Sequence, residues 1–276
     1  MNKNVVITGA STGIGLTCAL YLAERGYQVF AGVRKEADAE NLRQRGPITP
    51  LMLDVTDPES LAAAAQAVEA IVGAAGLGGL VNNAGVALPG PLEFTPLSDV
   101  DRHFDVNVRG VIATTQVFLP LLRQAKGRIV QMSSMGGRNS VPFFGAYCAS
   151  KFALEGLSDA LRLELRPWGL HVAILEPGAI DTPIWAKSAG DSGQMFAHYP
   201  AQAQQHYGKW MHYLSKSIPK MGGQPPDVVA QALEHALSAA RPKTRYVLDN
   251  TSRMRALLEF LPTRLRDALM ARQFGL

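Results

Sequence analysis

Tyr147 and Lys151 stand four residues apart within Gly145-Ala146-Tyr147-Cys148-Ala149-Ser150-Lys151, a spacing that puts both on one face of a helix. A free tyrosine has a pKa of about 10 and is a poor base at neutral pH. A nearby ammonium favours the phenolate and lowers that value, so the pair could move a proton to or from a substrate oxygen. Tyr-x3-Lys alone arises often by chance, and other residues must converge on it. Ser133-Ser134 follows the apolar run at 128–132, and Asn82-Asn83-Ala84-Gly85 follows the run at 79–81. Pro177-Gly178 and then Asp181-Thr182 follow the run at 171–175, and Asn107 interrupts an otherwise apolar helical pattern. Taken singly, each asparagine reads more readily as a cap or a satisfied structural polar group.

The stretch Thr8-Gly9-Ala10-Ser11-Thr12-Gly13-Ile14-Gly15 lies between a β-branched run and a helix-length segment. Glycines let the backbone bend sharply and approach a pyrophosphate, and the following helix offers free N–H groups at its positive dipole end. The spacing is Gly-x3-Gly-x-Gly rather than Gly-x-Gly-x-x-Gly, and a merely structural tight turn is the competing reading. Its place after the first strand of an alternating chain weighs against that. The end of the second strand discriminates between the two nicotinamide dinucleotides. An acidic side chain there binds the ribose hydroxyls of NAD, whereas an arginine accommodates the 2′-phosphate of NADP. This chain reads Ala31-Gly32-Val33-Arg34-Lys35, with Val33 where the acid would stand and no carboxylate before Glu36. Arg34 offers a planar donor fork suited to phosphate. NADP(H) is therefore the expected coenzyme, with NAD(H) as the alternative.

Elements must carry these residues to one place. Strand-like runs at 4–8, 28–33, 48–53, 79–81, 128–132, 171–175 and 245–248 alternate with helix-length segments at 14–25, 37–45, 58–75, 98–124, 146–166 and 227–240. Asp57-Pro58 reads as an N-cap before a first-turn proline, and Gly26 and Gly169 follow helix ends. The alternation predicts an α/β fold, a doubly wound parallel sheet of about seven strands, with ligands at the carboxyl ends. One domain, 1–276, is expected. The exception to the alternation is 183–226, an irregular insertion of a length more typical of a functional lid than of a plain loop.

At 276 residues and 29.7 kDa the chain is near the upper limit for a single core. Hydrophobic residues at 47% and charged residues at 18% exclude a disordered or collagen-like chain. The longest uncharged stretch, 70–92, carries six glycines and two prolines, so no transmembrane span is expected. The apolar run at 5–7 meets a glycine turn at once, and no secretory leader is expected. Cys18 and Cys148 fit neither a zinc spacing nor a disulfide framework. The simple reading is a cytoplasmic protein without a metal site. Residues 241–276 hold eight Lys/Arg against three Asp/Glu, and the remainder nineteen against twenty. The basic balance thus belongs to the tail, and a nucleic-acid-binding body is not expected.

With these motifs in order, the chain resembles the short-chain dehydrogenases/reductases over about 1–250. The likeness rests on Thr8 through Gly15, Asp54-Val55, Asn82 through Gly85, Asn107, Ser134, Tyr147 with Lys151, and Pro177-Gly178 with Thr182. The thirteen-residue step from Ser134 to Tyr147 matches the family and selects Ser134 over Ser133. The resemblance implies a Rossmann-like fold and a division of labour. Tyr147 is the general acid/base, Ser134 binds the substrate oxygen, Lys151 holds the nicotinamide ribose and lowers the tyrosine pKa, and Asn107 holds a water in the proton relay. The coenzyme set it implies is Gly9, Ser11, Thr12, Gly13, Ile14, Gly15, Arg34, Asp54, Val55, Asn83, Ala84, Gly85, Tyr147, Lys151, Pro177, Gly178, Ile180 and Thr182. Asp54 and Val55 are expected at the adenine, Asn83 at the adjoining ribose, and Ile180 and Thr182 at the carboxamide. A homodimer or homotetramer through helices 98–124 and 146–166 is implied too. Pro142-Phe143-Phe144-Gly145 and Phe152 through Ser158 look like the branch containing hydroxysteroid and retinol dehydrogenases.

The insertion carries Trp185, Met195, Phe196, Tyr199, Tyr207, Trp210, Met211, Tyr213 and Met221. Aromatics give large apolar contact and methionines adapt to irregular shapes, so a bulky apolar ketone or secondary alcohol (steroid, retinoid or long-chain carbonyl) is expected. Trp185 and Met195 are singled out, with Ser134 and Tyr147, as substrate contacts. A reductase of small carbonyl compounds is the alternative, in which the aromatics merely anchor the lid. His198, His206 and His212 are assigned no catalysis. In the 250–276 extension, Met254, Leu257, Leu258 and Leu261 follow i, i+3, i+4, i+7 spacing, with Arg253, Arg255, Arg264, Arg266 and Arg272 flanking. That pattern fits a helix packed on its own domain or a peripheral membrane contact. Two rival functions are weighed. An idle NADP(H)-sensing protein would have a damaged catalytic set, and a sugar-nucleotide epimerase would have a longer glycine pattern and a larger substrate domain.

Overall fold

Strands covered on both faces need apolar side chains on both, and the β-branched runs supply them. In the computed structural model, which describes residues 2–182, 196, 199–217, 223–248 and 257–274, seven strands form one parallel sheet. They are β1 (Asn4–Ile7), β2 (Gln28–Val33), β3 (Ile48–Met52), β4 (Gly79–Asn82), β5 (Arg128–Met132), β6 (His171–Glu176) and β7 (Arg245–Val247). Their order is β3-β2-β1-β4-β5-β6-β7. Val6 of β1 lies between Phe30 and Leu80 in register, so the direction of winding reverses between β1 and β4.

Side chains alternate between two cores. Val5, Ile7, Val29, Ala31, Val130 and Leu175 join one, with Cys18, Leu22, Leu42, Val229 and Leu233 from α1 (Gly13–Ala23), α2 (Glu36–Arg43) and α8 (Asp227–Ser238). Val6, Phe30, Leu80, Ile129 and Val172 join the other, with Leu61, Val68, Phe118, Leu122 and Leu165 from α3 (Pro58–Val72), α5 (Gly110–Ala125) and α6 (Gly145–Leu165). Helix ends follow local chemistry. The Asp57 carboxylate accepts the Glu59 N–H at 2.9 Å, and Gly26 and Gly169 take positive φ after α1 and α6. Arg128 donates to the Ala236 and Ala239 carbonyls at 2.8 and 2.7 Å, closing the end of α8.

Three expectations change. The segment read as one helix over 98–124 is α4 (Leu97–Phe104), a π turn (Asp105–Arg109) and α5. The Gly110 N–H reaches back to the Asp105 carbonyl, an insertion common at functional positions. The insertion read as irregular contains a seventeen-residue helix, α7 (Ala201–Ser217). In the tail the spacing through Leu261 does not make one helix. A single turn at Leu258–Phe260 ends in extended Leu261 (ψ 148), as a residue before proline favours, and α9 (Thr263–Phe274) follows. Met254, Arg253 and Arg255 lie outside the described residues.

Candidate active site

β1 and β4 end side by side and their chains part in opposite directions, opening a cleft of about 560 Å³. The glycine turn leaves β1 here. Gly9 has φ +64, and a Cβ on it would lie 2.8 Å from the Ala84 Cα; one on Gly15 would lie 2.4 Å from the Gly9 carbonyl oxygen. The turn is therefore built for backbone packed on backbone. Thr8 Oγ1 accepts the N–H groups of Asn83 and Ala84 at 3.0 and 2.9 Å, and Asn83 Nδ2 donates to the Thr8 and Gly9 carbonyls at 2.9 and 3.0 Å. Asn83, expected at a ribose, thus spends its amide clasping the turn. Thr8 belongs to the same clasp.

Each residue of the expected coenzyme set lines this cleft, from Arg34 at the end of β2 to Thr182 beyond β6. Arg34 and Lys35 are exposed at its rim, and no described residue pairs with either. Val33, by contrast, is buried at 2% exposure. Asp54 Oδ1 accepts the backbone N–H and the hydroxyl of Thr56 at 2.9 and 2.7 Å, which fixes its carboxylate at the wall. Val86, Leu88, Arg102 and Met132 line the cleft too; their residue types gave no sign of it. Glycines that a Cβ would crowd, amides at the start of an eleven-residue helix and an unpaired guanidinium at the far rim fit a dinucleotide.

At the other end Tyr147, Lys151 and Ser134 meet. Ser134 Oγ accepts the Gly136 N–H at 3.0 Å and is hydrogen-bonded with Tyr147. Lys151 Nζ donates to the Met132 carbonyl at 2.8 Å and lies 5.9 Å from the Tyr147 ring centre. Burial pushes the Tyr147 phenol up to about 12, although the Ser134 hydrogen bond works against it. Burial likewise draws the Lys151 ammonium down to about 8, opposed by the Glu155 carboxylate. The net direction at Tyr147 is thus set by desolvation, with the Lys151 ammonium not in hydrogen-bond contact with the phenol.

Asn107 stands behind the cleft wall, fully buried on the π turn. Its Oδ1 accepts the Val86 N–H at 2.9 Å, while Nδ2 donates to the Val86 carbonyl at 3.0 Å and to Ser150 Oγ at 2.9 Å. Ser150 in turn donates to the Tyr147 carbonyl at 2.7 Å. With both amide donors committed, the Asn107 side chain braces the backbone of Tyr147 through Ser150. His103 also escaped the sequence reading. Its Nε2 accepts the Leu88 N–H at 2.9 Å, its Nδ1 contacts the Asp99 carbonyl at 2.6 Å, and its ring meets the edge of Tyr147 at 6.3 Å. Tyr147 also packs against a buried apolar cluster whose other members do not line the cleft. Phe144, Phe196, Tyr199, Met211 and Leu214 form a cluster that Phe94, Val141, Phe143, Tyr147 and Tyr207 join. Trp185, Met195, His198 and Met221 lie outside the described residues.

A parallel sheet with this cleft at its winding reversal, and a tyrosine, lysine and serine at one end, defines a dinucleotide-dependent oxidoreductase class. The family model described as short chain dehydrogenase matches residues 3–192, and the chain belongs to that family. Retinol dehydrogenase 16 of Homo sapiens is 39% identical over 98% of this chain and 88% of its own length. The NADPH-dependent 3-dehydrocapnine reductase of Ornithobacterium rhinotracheale is 36% identical over 97% and 95%. Among solved structures, a short-chain dehydrogenase from Streptomyces avermitilis has a TM-score of 0.77 at 27% identity, covering 99% of this chain and 94% of that one. A short-chain dehydrogenase/reductase from Burkholderia phymatum in complex with NAD has a TM-score of 0.79 at 25% identity, covering 93% and 92%. The chain is thus an oxidoreductase of alcohol and carbonyl groups that uses a nicotinamide coenzyme.

The clasp generates a prediction. Thr8→Val keeps the shape and leaves two backbone N–H groups without an acceptor, at about 1–3 kcal/mol each. Coenzyme affinity, measured by fluorescence titration with NADPH, is expected to fall at least about tenfold. Unchanged affinity would show that the clasp does not hold the turn.

Proposed function

We propose that this chain, a single domain with its substrate lid at 183–226 and a helical extension at 250–276, is an NADP(H)-dependent oxidoreductase. It would act on a bulky, mostly apolar ketone or secondary alcohol such as a steroid, retinoid or long-chain carbonyl compound. The observation that carries the substrate reading is the continuity of Tyr147 with the apolar cluster of Phe94, Val141, Phe143, Phe144, Tyr199 and Met211. A carbonyl at Tyr147 would project its remainder into that cluster. The likeness to retinol dehydrogenase 16 points the same way. Arg34 and Lys35 at the cleft rim support NADP(H), as does the name of the NADPH-dependent relative.

A coenzyme held along the cleft supplies or accepts the hydride. For carbonyl reduction, Ser134 Oγ would donate a hydrogen bond to the substrate oxygen, where negative charge develops. Tyr147 would give its phenolic proton to that oxygen as the hydride reaches carbon, leaving an alcohol and a phenolate. Lys151 would hold the ribose and, while charged, stabilise the phenolate; Asn107 and Ser150 would keep Tyr147 in place. Oxidation runs the same steps backwards and starts from the phenolate. Exposed Ile112, Phe152, Leu157 and Leu163 on α5 and α6 support a homodimer or homotetramer. Two buried free thiols, Cys18 and Cys148, fit a reducing cytoplasm. No helix among the described residues is long and apolar enough to cross a membrane. Leu257, Phe260, Leu265 and Leu269 are exposed in the tail, beside Arg264, Arg266 and Arg272, and support a peripheral membrane contact.

The reading is tested by kcat/KM for NADPH-dependent reduction across ketones of increasing apolar size. Efficiency is expected to rise with size, by roughly 1–3 kcal/mol of binding for each well-packed side-chain-sized increment. A flat or falling series overturns the large-substrate reading. For the coenzyme, Arg34→Ala is the clean variant, because Val33→Asp would bury a carboxylate. It is expected to raise KM for NADPH about tenfold or more while leaving NADH little changed; equal effects on both would remove the phosphate role. For the proton, a phenol held near 12 is protonated at neutral pH and ready to donate. Reduction is therefore expected to stay level in pH up to about 8 and then to fall as Lys151 loses its proton. Alcohol oxidation, which needs the phenolate, is expected to rise with pH up to about 8 and to rise less steeply above it, where the Lys151 charge that stabilises the phenolate is lost. Tyr147→Phe is expected to lower kcat by ~10²–10⁴-fold with coenzyme affinity largely intact, and near-normal turnover would refute the role.

A further inference from the structure

Glu176 ends β6, one residue before the Pro177-Gly178 wall of the cleft, and its carboxylate is fully buried between two guanidinium groups. Arg245 Nε lies 3.1 Å from Glu176 Oε1, and Arg245 Nη2 reaches Glu155 of α6 at 3.0 Å. Arg138 Nη1 lies 3.2 Å from Glu176 Oε2. A buried carboxylate is tolerated only with charged partners of this kind. The free edge of Arg138 then turns to the tail. Its Nε donates to Glu259 Oε2 at 3.0 Å and its Nη2 to Glu259 Oε1, a two-pronged fork across 121 positions of sequence. Glu259 sits on the Leu258–Phe260 turn, and its side chain is 28% exposed, against 20% for Arg138.

Arg138 is the last residue of the turn that starts at Ser134. The Gly137 N–H donates to the Ser134 carbonyl at 2.9 Å, the Arg138 N–H to the Met135 carbonyl at 3.1 Å, and the Met135 N–H to the Pro177 carbonyl at 3.1 Å. The Gly136 N–H occupies a lone pair of Ser134 Oγ, which leaves the hydroxyl proton for the reaction side, where it meets Tyr147. Where that proton points depends on where the Gly136 amide stands, and hence on the turn. A guanidinium gripped along two edges fixes the turn's far end, and a fork adds direction that a single contact lacks. We infer that Glu259 is a positioning residue: through Arg138 it holds the Ser134 turn, and the C-terminal extension thereby completes the reaction centre. The inference rests on the proposed role of Ser134.

The test uses the full chain with Glu259→Gln, Glu259→Ala, Arg138→Gln and the Glu259→Ala/Arg138→Gln double variant, with Leu269→Ser as a tail control. Carbonyl reduction at saturating NADPH is expected to lose kcat about tenfold in Glu259→Ala, within the range a small misplacement costs. NADPH affinity by fluorescence is expected to hold, and Glu259→Gln to be intermediate. In the Arg138→Gln background the Glu259→Ala change is expected to cost nothing further, since the two act as one unit. Amide hydrogen exchange over 134–139 is expected to quicken in the Glu259 variants and not in Leu269→Ser. Unchanged kcat, additive effects, or equal loss of kcat and coenzyme affinity with a lowered Tm in both Glu259 variants would overturn the inference. If the native chain turns over no carbonyl, the proposed reaction fails by itself. The exchange measurement then decides the coupling alone, and unaltered exchange over 134–139 overturns it.

Discussion

The whole arrangement hangs on the meeting of β1 and β4. A parallel sheet covered on both faces keeps its strands dry, so every chain must turn at the carboxyl edge, where backbone groups lose their ladder partners. Between β1 and β4 the two chains leave in opposite directions, and the gap cannot be filled by a crossover helix. Thr8 and Asn83 settle the orphaned groups of both turns with four short hydrogen bonds. That local solution fixes the start of α1 against Ala84 and Gly85. Gly85 in turn faces Asn107 and Lys151: a Cβ on it would lie 3.3 Å from Asn107 Oδ1 and 3.7 Å from Lys151 Nζ. One clasp therefore sets both the coenzyme end and the proton end of the cleft.

The proton end lives with burial it cannot avoid. Lys151 is buried and Tyr147 packs against the apolar cluster, and desolvation moves each toward its neutral form. Neighbours decide how far. Ser134 draws the phenol down, Glu155 draws the ammonium up, and Glu155 is itself held by Arg245 and linked through it to Glu176. The reacting groups thus form the upper layer of a deeper set of charges. Replacing a member of the lower layer by an apolar residue would leave its partner buried and unpaired, which costs more than the pair itself contributes.

What could be read from the sequence follows from how local its cause is. Seven strands and six helices were legible because alternation and β-branched runs are properties of neighbouring residues, as were the Asp57 cap and the glycine turns. The coenzyme cleft was legible because strand ends are fixed once the winding is known. The π turn at Asp105–Arg109 was not, since Asp105-Val106-Asn107-Val108-Arg109 carries no breaker, and the partners of the Asn107 amide, Val86 and Ser150, are remote in sequence. His103 was missed for a similar reason, as two of its contacts, a backbone amide fifteen residues away and the Tyr147 ring, are set by the fold rather than by its own helix. The direction of the Tyr147 shift depends on burial by α7 and the 141–144 segment, which spacing does not report. Arg138 and Glu259 lie 121 positions apart, and nothing in either neighbourhood marks them as partners.

Chemistry and specificity consequently occupy different kinds of structure. The groups that would handle hydride and proton sit on strand ends and the long helix α6, rigid elements that hold position closely. The wall that would meet the rest of the substrate is built from α7 and two loops through ring-on-ring contacts. Phe143 touches Tyr207 and Trp210 at ring-centre distances of 6.1 and 6.5 Å, and Phe94 touches Tyr207 at 6.0 Å. Such packing is non-directional, and an apolar pocket separates substrates differing by a methylene by only about 1–3 kcal/mol. Phe143 adds one fixed point. It holds a left-handed conformation at φ 67, unfavourable for a bulky residue, while its carbonyl accepts the Gly90 N–H at 2.7 Å. Strain of that kind persists only where the surroundings over-determine it, and here the surroundings are α7 on one side and the 88–96 loop on the other. Phe144 follows directly and caps α6, whose first turn carries Tyr147. The apolar cluster is therefore joined to α6 at its very start, so that a change in the packing of α7 would reach the same turn that carries the phenol.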